Sequence, residues 1–589
     1  MEDRTLATMR SLKDEAKELR DKIIHVVSKN GGHLGASLGA TDLILSLHKV
    51  FLSPYDRIIF DTGHQAYAHK LLTGRLERFD TLRTYNGLCG FTDPTESVHD
   101  HFFAGHAGTA LSLALGVHDS TIYKENAPWT IALIGDASLS CGLTLEALNN
   151  IHSSYKRLLI ILNDNGMSIS KGCGNLHDYL QKIRNFPFLS LQENFKDIFS
   201  IFNCKYVGPI DGHEPERMVA LFEKLKLEEG PFLVHVKTIK GFGLEFAETS
   251  PTVWHGPKPF CIESGTFKKT TTQSLSFPKI FGKHLFELKK KEPNLHVITP
   301  ATATGACLEE FGQAFPREFH DVGIAEGHAV TYAAGLCRFQ EFKVILSIYA
   351  TFLHRALDNL FHDVVLQNIP LILAIDRAGL SPQDGSTHHG IYDISFLKTM
   401  PGLSIAQPRN ATLLKELLES ALVYNTPIAI RYPNLEAVNT PQTLAFRPLG
   451  KGEILVKSSS KKTKILIISL GHMAEMALNC RLRLIERGLD ATIFDPIFLK
   501  PLDEEALLPL LQENEFVFVI EEHAKNSGLG SILLNFLFEK EIFDKKVYNF
   551  GFPDQFYAHG SYNDLLDEAG LSENKIFEKM LLAIQKNGI

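Results

Sequence analysis

Short apolar runs recur along the chain, and most of them end in a small polar cluster. In the first half they fall at 58–60, 129–134, 158–162 and 232–236. Runs this short and this continuously apolar predict strands covered on both faces, as in parallel sheets. Between them the spacing turns helical. Residues 11–29 put Leu12, Ala16, Leu19, Ile23, Ile24 and Val27 on one face, and Asn30-Gly31-Gly32 supplies the stop. The alternation restarts near Phe277, with runs at 297–299, 344–349, 371–375 and 428–430, and again after Pro448, with runs at 465–468, 491–494 and 516–520. Residues 171–200 lack a clear period and read as a mobile loop or a helical excursion. The Ser/Thr-rich stretch 266–276 and the stretch 448–460 read as linkers. The expectation is an α/β chain in three domains, 1–265, 277–447 and 461–589, with mostly parallel sheets and helices on both faces.

The ends of those runs carry the chemistry. Run 129–134 leads into Gly135-Asp136-Ala137-Ser138, and run 158–162 into Asn163-Asp164-Asn165-Gly166-Met167. A buried β-α-β unit would bring both clusters to the carboxyl edge of the sheet, where open α/β folds bind ligands. Asp136 and Asn165 would then offer two hard oxygens about one strand spacing apart. That suits Mg²⁺, which fills its octahedron with phosphate and water. A helix starting near Ser138 would aim its amino end there and favour a diphosphate. An ordinary core with polar loop residues is the plain alternative. Three Gly-His pairs, at His33, His64 and His106, lie at element ends, and His255 sits in a further tight loop. They suggest a pocket lined by imidazoles; zinc competes, but the spacings are not those of metal ligands. His33 and Ser37 are the reactive groups of a glycine-rich segment. In the second half, Glu326 opens an apolar helix, Arg377 and Arg431 stand at strand ends, and Asp384, His388 and His389 share one loop. Gly528-Leu529-Gly530 is too weak a motif to indicate nucleotide binding.

Composition narrows the classes. With 589 residues, 44% hydrophobic and 22% charged, the chain reads as a soluble multidomain protein. A net charge of −8 and no long basic run argue against nucleic acid as the main partner. Local arginines can still bind a small phosphorylated ligand. Eight scattered cysteines without a CxxC pair read as reduced thiols. Residues 1–4 open a charged amphipathic helix, not an apolar signal core, and no run approaches membrane-span length. A cytoplasmic location is expected.

The separation of Asp136 from Asn165, 29 residues, resembles the thiamin-diphosphate motif, a Gly-Asp-Gly with an Asn following at that distance. GGHLGASLG from Gly31, DTGHQAYAHKLLTGR from Asp61, IAEGHAVTYAAGL from Ile324, YATFLHRALD from Tyr349, DRAGLSPQDGSTHHG from Asp376, IRYP from Ile430, KPLDEE from Lys500 and GFPDQF from Gly551 extend the likeness over nearly the whole chain. The chain thus resembles the transketolase group of thiamin-diphosphate enzymes and, within it, the 1-deoxy-D-xylulose-5-phosphate synthase family. The resemblance implies three domains of transketolase type. It implies a transferase that decarboxylates pyruvate and passes the two-carbon unit to D-glyceraldehyde 3-phosphate, toward isoprenoid precursors, thiamin and pyridoxal. A transketolase acting on sugar phosphates, or an inactive cofactor-binding paralogue, are the alternatives.

By the same resemblance Asp136, Asn165 and the Met167 carbonyl would hold Mg²⁺. His64, Gly105, His106, Ala137, Ser138, Asn165, Lys240, Glu326 and Phe352 would contact thiamin diphosphate, Glu326 through the aminopyrimidine nitrogen. His33, Ser37, His255, Tyr349, Arg377, Asp384, His388 and Arg431 would line the substrate end, the two arginines on the phosphate. Catalytic roles would fall to Glu326, His33, His388 and Asp384. A homodimer is implied, with each active site between the first two domains of one chain. Departures from the family pattern are Ala137, Ala107, Gly108, Gly327 and Asn434, and the chain is shorter than usual, mainly at its start.

Overall fold

A computed structural model describes residues 11–121, 124, 126–168, 172–185, 189–190, 198–268, 275–339, 341–437, 443–459 and 464–586. Residues 1–4, the middle of stretch 266–276, and parts of 171–200 and 448–460 lie outside the described residues. The chain divides into two units, Met1–Thr271 with Gly323–Ala325, and Thr272–Val322 with Glu326–Ile589.

Unit 1 is built on a six-stranded sheet. Its strands are β1 Arg57–Phe60, β2 Thr130–Gly135, β3 Leu158–Asp164, β4 Leu189–Ser190, β5 Lys205–Asp211 and β6 Phe232–Lys237, in the order β1-β2-β3-β6-β5-β4. All pair in parallel except β4 with β5. The apolar runs are continuous because both faces are covered: Ile131 and Leu133 of β2 join one core, Ala132 and Ile134 the other. The first helix, Leu12–Asn30, is capped by Ser11, whose hydroxyl accepts the Asp14 N–H at 3.1 Å. Gly31, with φ 75°, ends it. Within 171–200 a nine-residue helix, Asn175–Ile183, has formed.

Unit 2 holds two large sheets. After β7 Leu275–Ser276 come β8 Leu295–Thr299, β9 Phe319–Asp321, β10 Lys343–Tyr349, β11 Ile372–Asp376, β12 Ser404–Ala406, β13 Ile428–Tyr432 and β14 Glu436–Ala437. Then follow β15 Glu453–Val456, β16 Ile465–Ser469, β17 Thr492–Asp495, β18 Phe498–Lys500, β19 Phe516–Ala524 and β20 Lys546–Phe552. The seven-stranded sheet runs β18-β12-β13-β11-β10-β8-β9 and the five-stranded sheet β15-β17-β16-β19-β20. Each is parallel apart from one edge pair, β12 with β18 and β15 with β17. Strand β18 lies beyond 461 in sequence yet closes the edge of the earlier sheet, and Lys500 reinforces it by donating to the Lys398 carbonyl at 3.0 Å. One core runs across both sheets, taking Leu346 and Ile348 from one and Leu466 and Ile468 from the other. The expected α/β architecture of mostly parallel sheets is what forms. No disulfide links the eight cysteines.

Candidate active site

The two strand-end clusters of unit 1 do share one rim. Parallel register sets Gly135 opposite Asn163, and the Asp136 N–H donates to the Asn163 carbonyl at 3.2 Å. The element after Asp136 differs from expectation. Ala137–Ser140 is a 3₁₀ turn, and the α-helix starts only at Gly142. Ser138 is tied to the carboxylate of Asp61. Asp61 itself accepts the N–H groups of Gly108, Thr109 and Ala110 at 2.9, 3.0 and 3.2 Å. It thereby caps the helix Ala110–Asp119 and fixes the preceding loop of Gly105 and His106.

Two aspartates of this rim differ in their surroundings. Asp164 is paired with Arg184 at 2.6 Å and with His235 Nε2 at 2.8 Å. Burial pushes its carboxyl up, but His235 and Arg184 bring it below the ordinary value. Asp136 is buried beside it, and the more distant Arg184 charge only partly offsets that burial. Burial first, then the negative charge of Asp164, push it up to about 8. Among the described residues no group of three His, Cys, Asp or Glu is placed to hold a metal. The expected set is of another kind, one carboxylate, one amide and one backbone carbonyl. It suits a hard cation that keeps water and phosphate as its other ligands. The Asn165 side-chain oxygen accepts the Met167 N–H at 3.0 Å, which ties these two donors into one turn. A divalent cation would relieve the charge excess at Asp136, so the residues fit Mg²⁺.

Three imidazoles form a triangle. Ring centres are 5.7 Å apart for His33 and His64, 5.8 Å for His33 and His255, and 5.6 Å for His64 and His255. Burial, then the Lys240 charge, push His64 down to about 4 and hold His255 well below its ordinary value. Both are neutral at pH 7, when an imidazole offers one donor and one acceptor. Lys240, pushed down to about 8 by burial, donates to the Ser168 carbonyl at 2.6 Å. His33 begins the helix Leu34–Val50, and its N–H donates to the Tyr67 hydroxyl at 3.1 Å. Ser37, expected at the substrate end, turns its hydroxyl to main chain. It is fully buried, and its hydroxyl donates to the His64 carbonyl at 2.9 Å.

In unit 2, Glu326 is the first residue of the helix Glu326–Cys337 and is 7% exposed. Burial pushes its carboxyl up, opposed by the Arg355 charge 3.9 Å away. Tyr349 and Phe352 stack at 5.3 Å, the His388 ring meets Phe352 edge-on at 5.6 Å, and the Arg377 guanidinium lies 3.9 Å over the Tyr349 ring. Arg377 has φ 59°, an uncommon backbone state for a side chain this large. It is bonded to Asp376, and its guanidinium donates to the Gly305 carbonyl at 3.3 Å. Asp384 precedes the short turn Gly385–Thr387, and Thr387 Oγ1 pairs with His388 Nδ1 at 2.8 Å. His389 is a satisfied loop histidine. Its Nδ1 accepts the Ser381 N–H at 3.0 Å, and its Nε2 faces the Tyr557 and Ala558 carbonyls at 3.2 Å each.

Arg431 is held more tightly than Arg377. It is 0% exposed and gripped by Asp393 at 2.8 Å through both Nε and Nη2, by Gln407, and by the Gly390 carbonyl at 3.4 Å. Most donors of this guanidinium are taken by protein acceptors. Asp393, Asp61 and Glu522 were not singled out from sequence. Their partners lie far off in the chain, so no local spacing marks them.

Two family departures have local reasons. A Cβ at Gly108, whose φ is 85°, would lie 2.7 Å from Cys141 Cβ. A Cβ at Gly327 would lie 2.8 Å from Asn359 Oδ1, and Asn359 in turn donates to Thr331 at 3.0 Å.

Comparison with known proteins gives a consistent result. The family description "1-deoxy-D-xylulose-5-phosphate synthase" matches residues 2–200 and 188–238. "Transketolase, pyrimidine binding domain" matches 273–438, and "Transketolase, C-terminal domain" 452–576. The 1-deoxy-D-xylulose-5-phosphate synthase of Chlamydia abortus is 44% identical over 605 residues, covering 96% of this chain and 93% of that relative. The enzyme of the same name from Chlamydia trachomatis serovar L2 is 44% identical over 604 residues, with the same coverage of both. Among solved structures, transketolase from Campylobacter jejuni aligns over 97% of this chain and 99% of its own, at 19% identity and a TM-score of 0.45.

Proposed function

Because the chain belongs to the 1-deoxy-D-xylulose-5-phosphate synthase family, we propose that it decarboxylates pyruvate and joins the remaining two-carbon unit to D-glyceraldehyde 3-phosphate. The products are CO₂ and 1-deoxy-D-xylulose 5-phosphate. The observation that carries the reading is Glu326, a carboxylic acid at the head of an apolar helix whose burial favours the protonated form. A buried acid that keeps its proton can donate to a ring nitrogen and take the proton back.

Thiamin diphosphate, when bound, supplies the electron sink for decarboxylation and carbon–carbon bond formation. Glu326 holds and moves a proton at its carboxyl oxygen, and Phe352 presents a ring face. Asp136, the Asn165 side-chain oxygen and the Met167 carbonyl would hold Mg²⁺ on the diphosphate. Gly105, His106, Ala137 and Lys240 would complete that end. His64 and His255 are uncharged rings that donate or accept hydrogen bonds without adding a cation, His64 toward the cofactor and His255, with His33, toward substrate oxygens. Arg377 binds the acceptor phosphate as a planar fork. Asp384 and His388, in the loop after it, handle the acceptor aldehyde oxygen. Remote phosphate binding orients the reacting carbonyl, which lowers the entropic part of the barrier.

Incubation with pyruvate, D-glyceraldehyde 3-phosphate, thiamin diphosphate and Mg²⁺ should release CO₂ and form the pentulose phosphate. Glu326→Gln should lower the rate on the order of 10²-fold or more. Wild-type product no greater than that of Glu326→Gln would sink the reading. Turnover with a ketose phosphate donor but not pyruvate would instead make it a transketolase. A homodimer in the cytoplasm goes with this function; among the described residues, no helix is long and apolar enough to cross a membrane. Sedimentation showing only monomer at micromolar chain would remove the dimer.

A further inference from the structure

The loop after β11 carries Arg377, Asp384 and His388, and later parts of unit 2 grip it at three points. Glu522 of β19 accepts the Leu380 N–H at 2.7 Å. The Gly560 N–H donates to the Pro382 carbonyl at 2.9 Å. His389 reaches the carbonyls of Tyr557 and Ala558. Glu522 acts nearest to Arg377. The turn between them is closed by reciprocal backbone bonds of Gly379 and Gly390, at 2.9 and 2.7 Å. Gly379 has φ 102°, and a Cβ there would lie 2.7 Å from Glu522 Oε1, so the carboxylate occupies space that only glycine leaves open.

The Glu522 carboxylate is otherwise unaccounted for. It is 2% exposed, and its second oxygen takes the Tyr562 hydroxyl at 2.8 Å and His472 Nε2. Burial pushes its carboxyl up, but His472, the Leu380 N–H and Tyr562 bring it below the ordinary value, which favours the anion. A charged acceptor makes a stronger bond to a backbone N–H than a neutral one. We propose that Glu522 is a positioning residue for the phosphorylated acceptor: it fixes the Gly379–Leu380 turn and thereby aims the Arg377 guanidinium. This rests on the proposed synthase reaction.

The test compares kcat/KM for D-glyceraldehyde 3-phosphate with kcat/KM for unphosphorylated D-glyceraldehyde, each with saturating pyruvate. In Glu522→Ala the ratio of the two should fall about tenfold, a loss confined to the phosphate. Glu522→Gln keeps an acceptor for the Leu380 N–H and should recover most of the ratio. Tyr562→Phe, a milder change that keeps the protein testable if Glu522→Ala does not fold, should lower the ratio about threefold. Equal losses on both acceptors, or an unchanged ratio in Tyr562→Phe, would overturn the positioning role while leaving the reaction standing. Wild-type protein inactive with both acceptors would overturn the reaction and this role together.

Discussion

Strands β11 and β13 lie side by side in parallel, and an arginine stands at or just past the end of each. In β13 it is Arg431, held by Asp393 and Gln407 and with no exposure. After β11 it is Arg377, stacked on Tyr349, bonded to Asp376 and with its side chain 18% exposed. The rim of the unit 1 sheet repeats the contrast with acids. Asp164 ends β3 in a buried pair with Arg184 and His235, while Asp136 follows β2 and is held toward its protonated form by burial and the Asp164 charge. In both sheets the same residue type occurs on adjacent strands, once spent on the fold and once left for a ligand. Residue type at a strand end therefore identifies candidates, and the partners decide among them.

The widest separation should come from the arginines. Arg431→Met keeps the volume but leaves Asp393 buried without its cation, which costs about 3–5 kcal/mol. The denaturation midpoint should drop steeply, and whatever folds should retain its KM for glyceraldehyde 3-phosphate. Arg377→Lys keeps a cation beside Asp376 and should change stability little. It loses the planar fork, and two charge-assisted bonds of about 1.5–3 kcal/mol each imply a kcat/KM loss on the order of 10²- to 10⁴-fold. A stable Arg431→Met with a raised acceptor KM would reverse the assignment.

The aspartates should separate by metal and pH. Asp164→Asn leaves Arg184 and His235 facing a neutral group and should cost about 3 kcal/mol. Asp136→Asn should do the opposite in metal-free protein. Unfolded chain releases the Asp136 proton near the ordinary value of 3.8, folded chain only near about 8. Between those values the folded state holds the extra proton, so metal-free stability falls as pH rises. Asn at 136 should flatten that part of the profile. Mg²⁺ with thiamin diphosphate should stabilise wild type more at pH 8 than at pH 6 and leave Asp136→Asn unmoved. Thermal melts across pH, with and without the two ligands, read all of this; a metal-free wild type that gains stability from pH 5 to 8 would contradict the account of Asp136.

Much of the fold is legible because β2, β3 and β10 are covered on both faces and are apolar over most of their length. The strand-end clusters are legible for the same reason, since polar residues resume where cover stops. What escapes local reading is commitment. Asp393 lies 38 residues from Arg431, and Glu522 lies 142 from Leu380. Three consecutive residues of β19 serve three different neighbours. Glu521 accepts the Gly530 N–H at 3.0 Å at the head of the helix Leu529–Glu539, Glu522 holds Leu380, and His523 accepts the Ile394 N–H at 3.2 Å. Gly528 is glycine because a Cβ there would lie 1.9 Å from Glu521, which explains that weak glycine motif without a nucleotide. The helix start after Asp136 escaped because a 3₁₀ turn and an α-helix begin with the same small polar residues.

The smallest effect should come from Ser37, a polar group of the glycine-rich segment that also proves to be spent. Its hydroxyl donates to the His64 carbonyl inside the protein. Ser37→Ala removes one neutral hydrogen bond, about 1 kcal/mol of stability. The bond holds the backbone that carries His64, so a loosened His64 should weaken thiamin diphosphate binding about two- to fivefold, as expected for a loss of under about 1 kcal/mol. The acceptor KM should not move. Titration of cofactor fluorescence quenching against steady-state kinetics separates the two. An acceptor KM that rises while cofactor affinity holds would place Ser37 at the substrate after all, and would show that a buried hydroxyl bonded to main chain can still be reached.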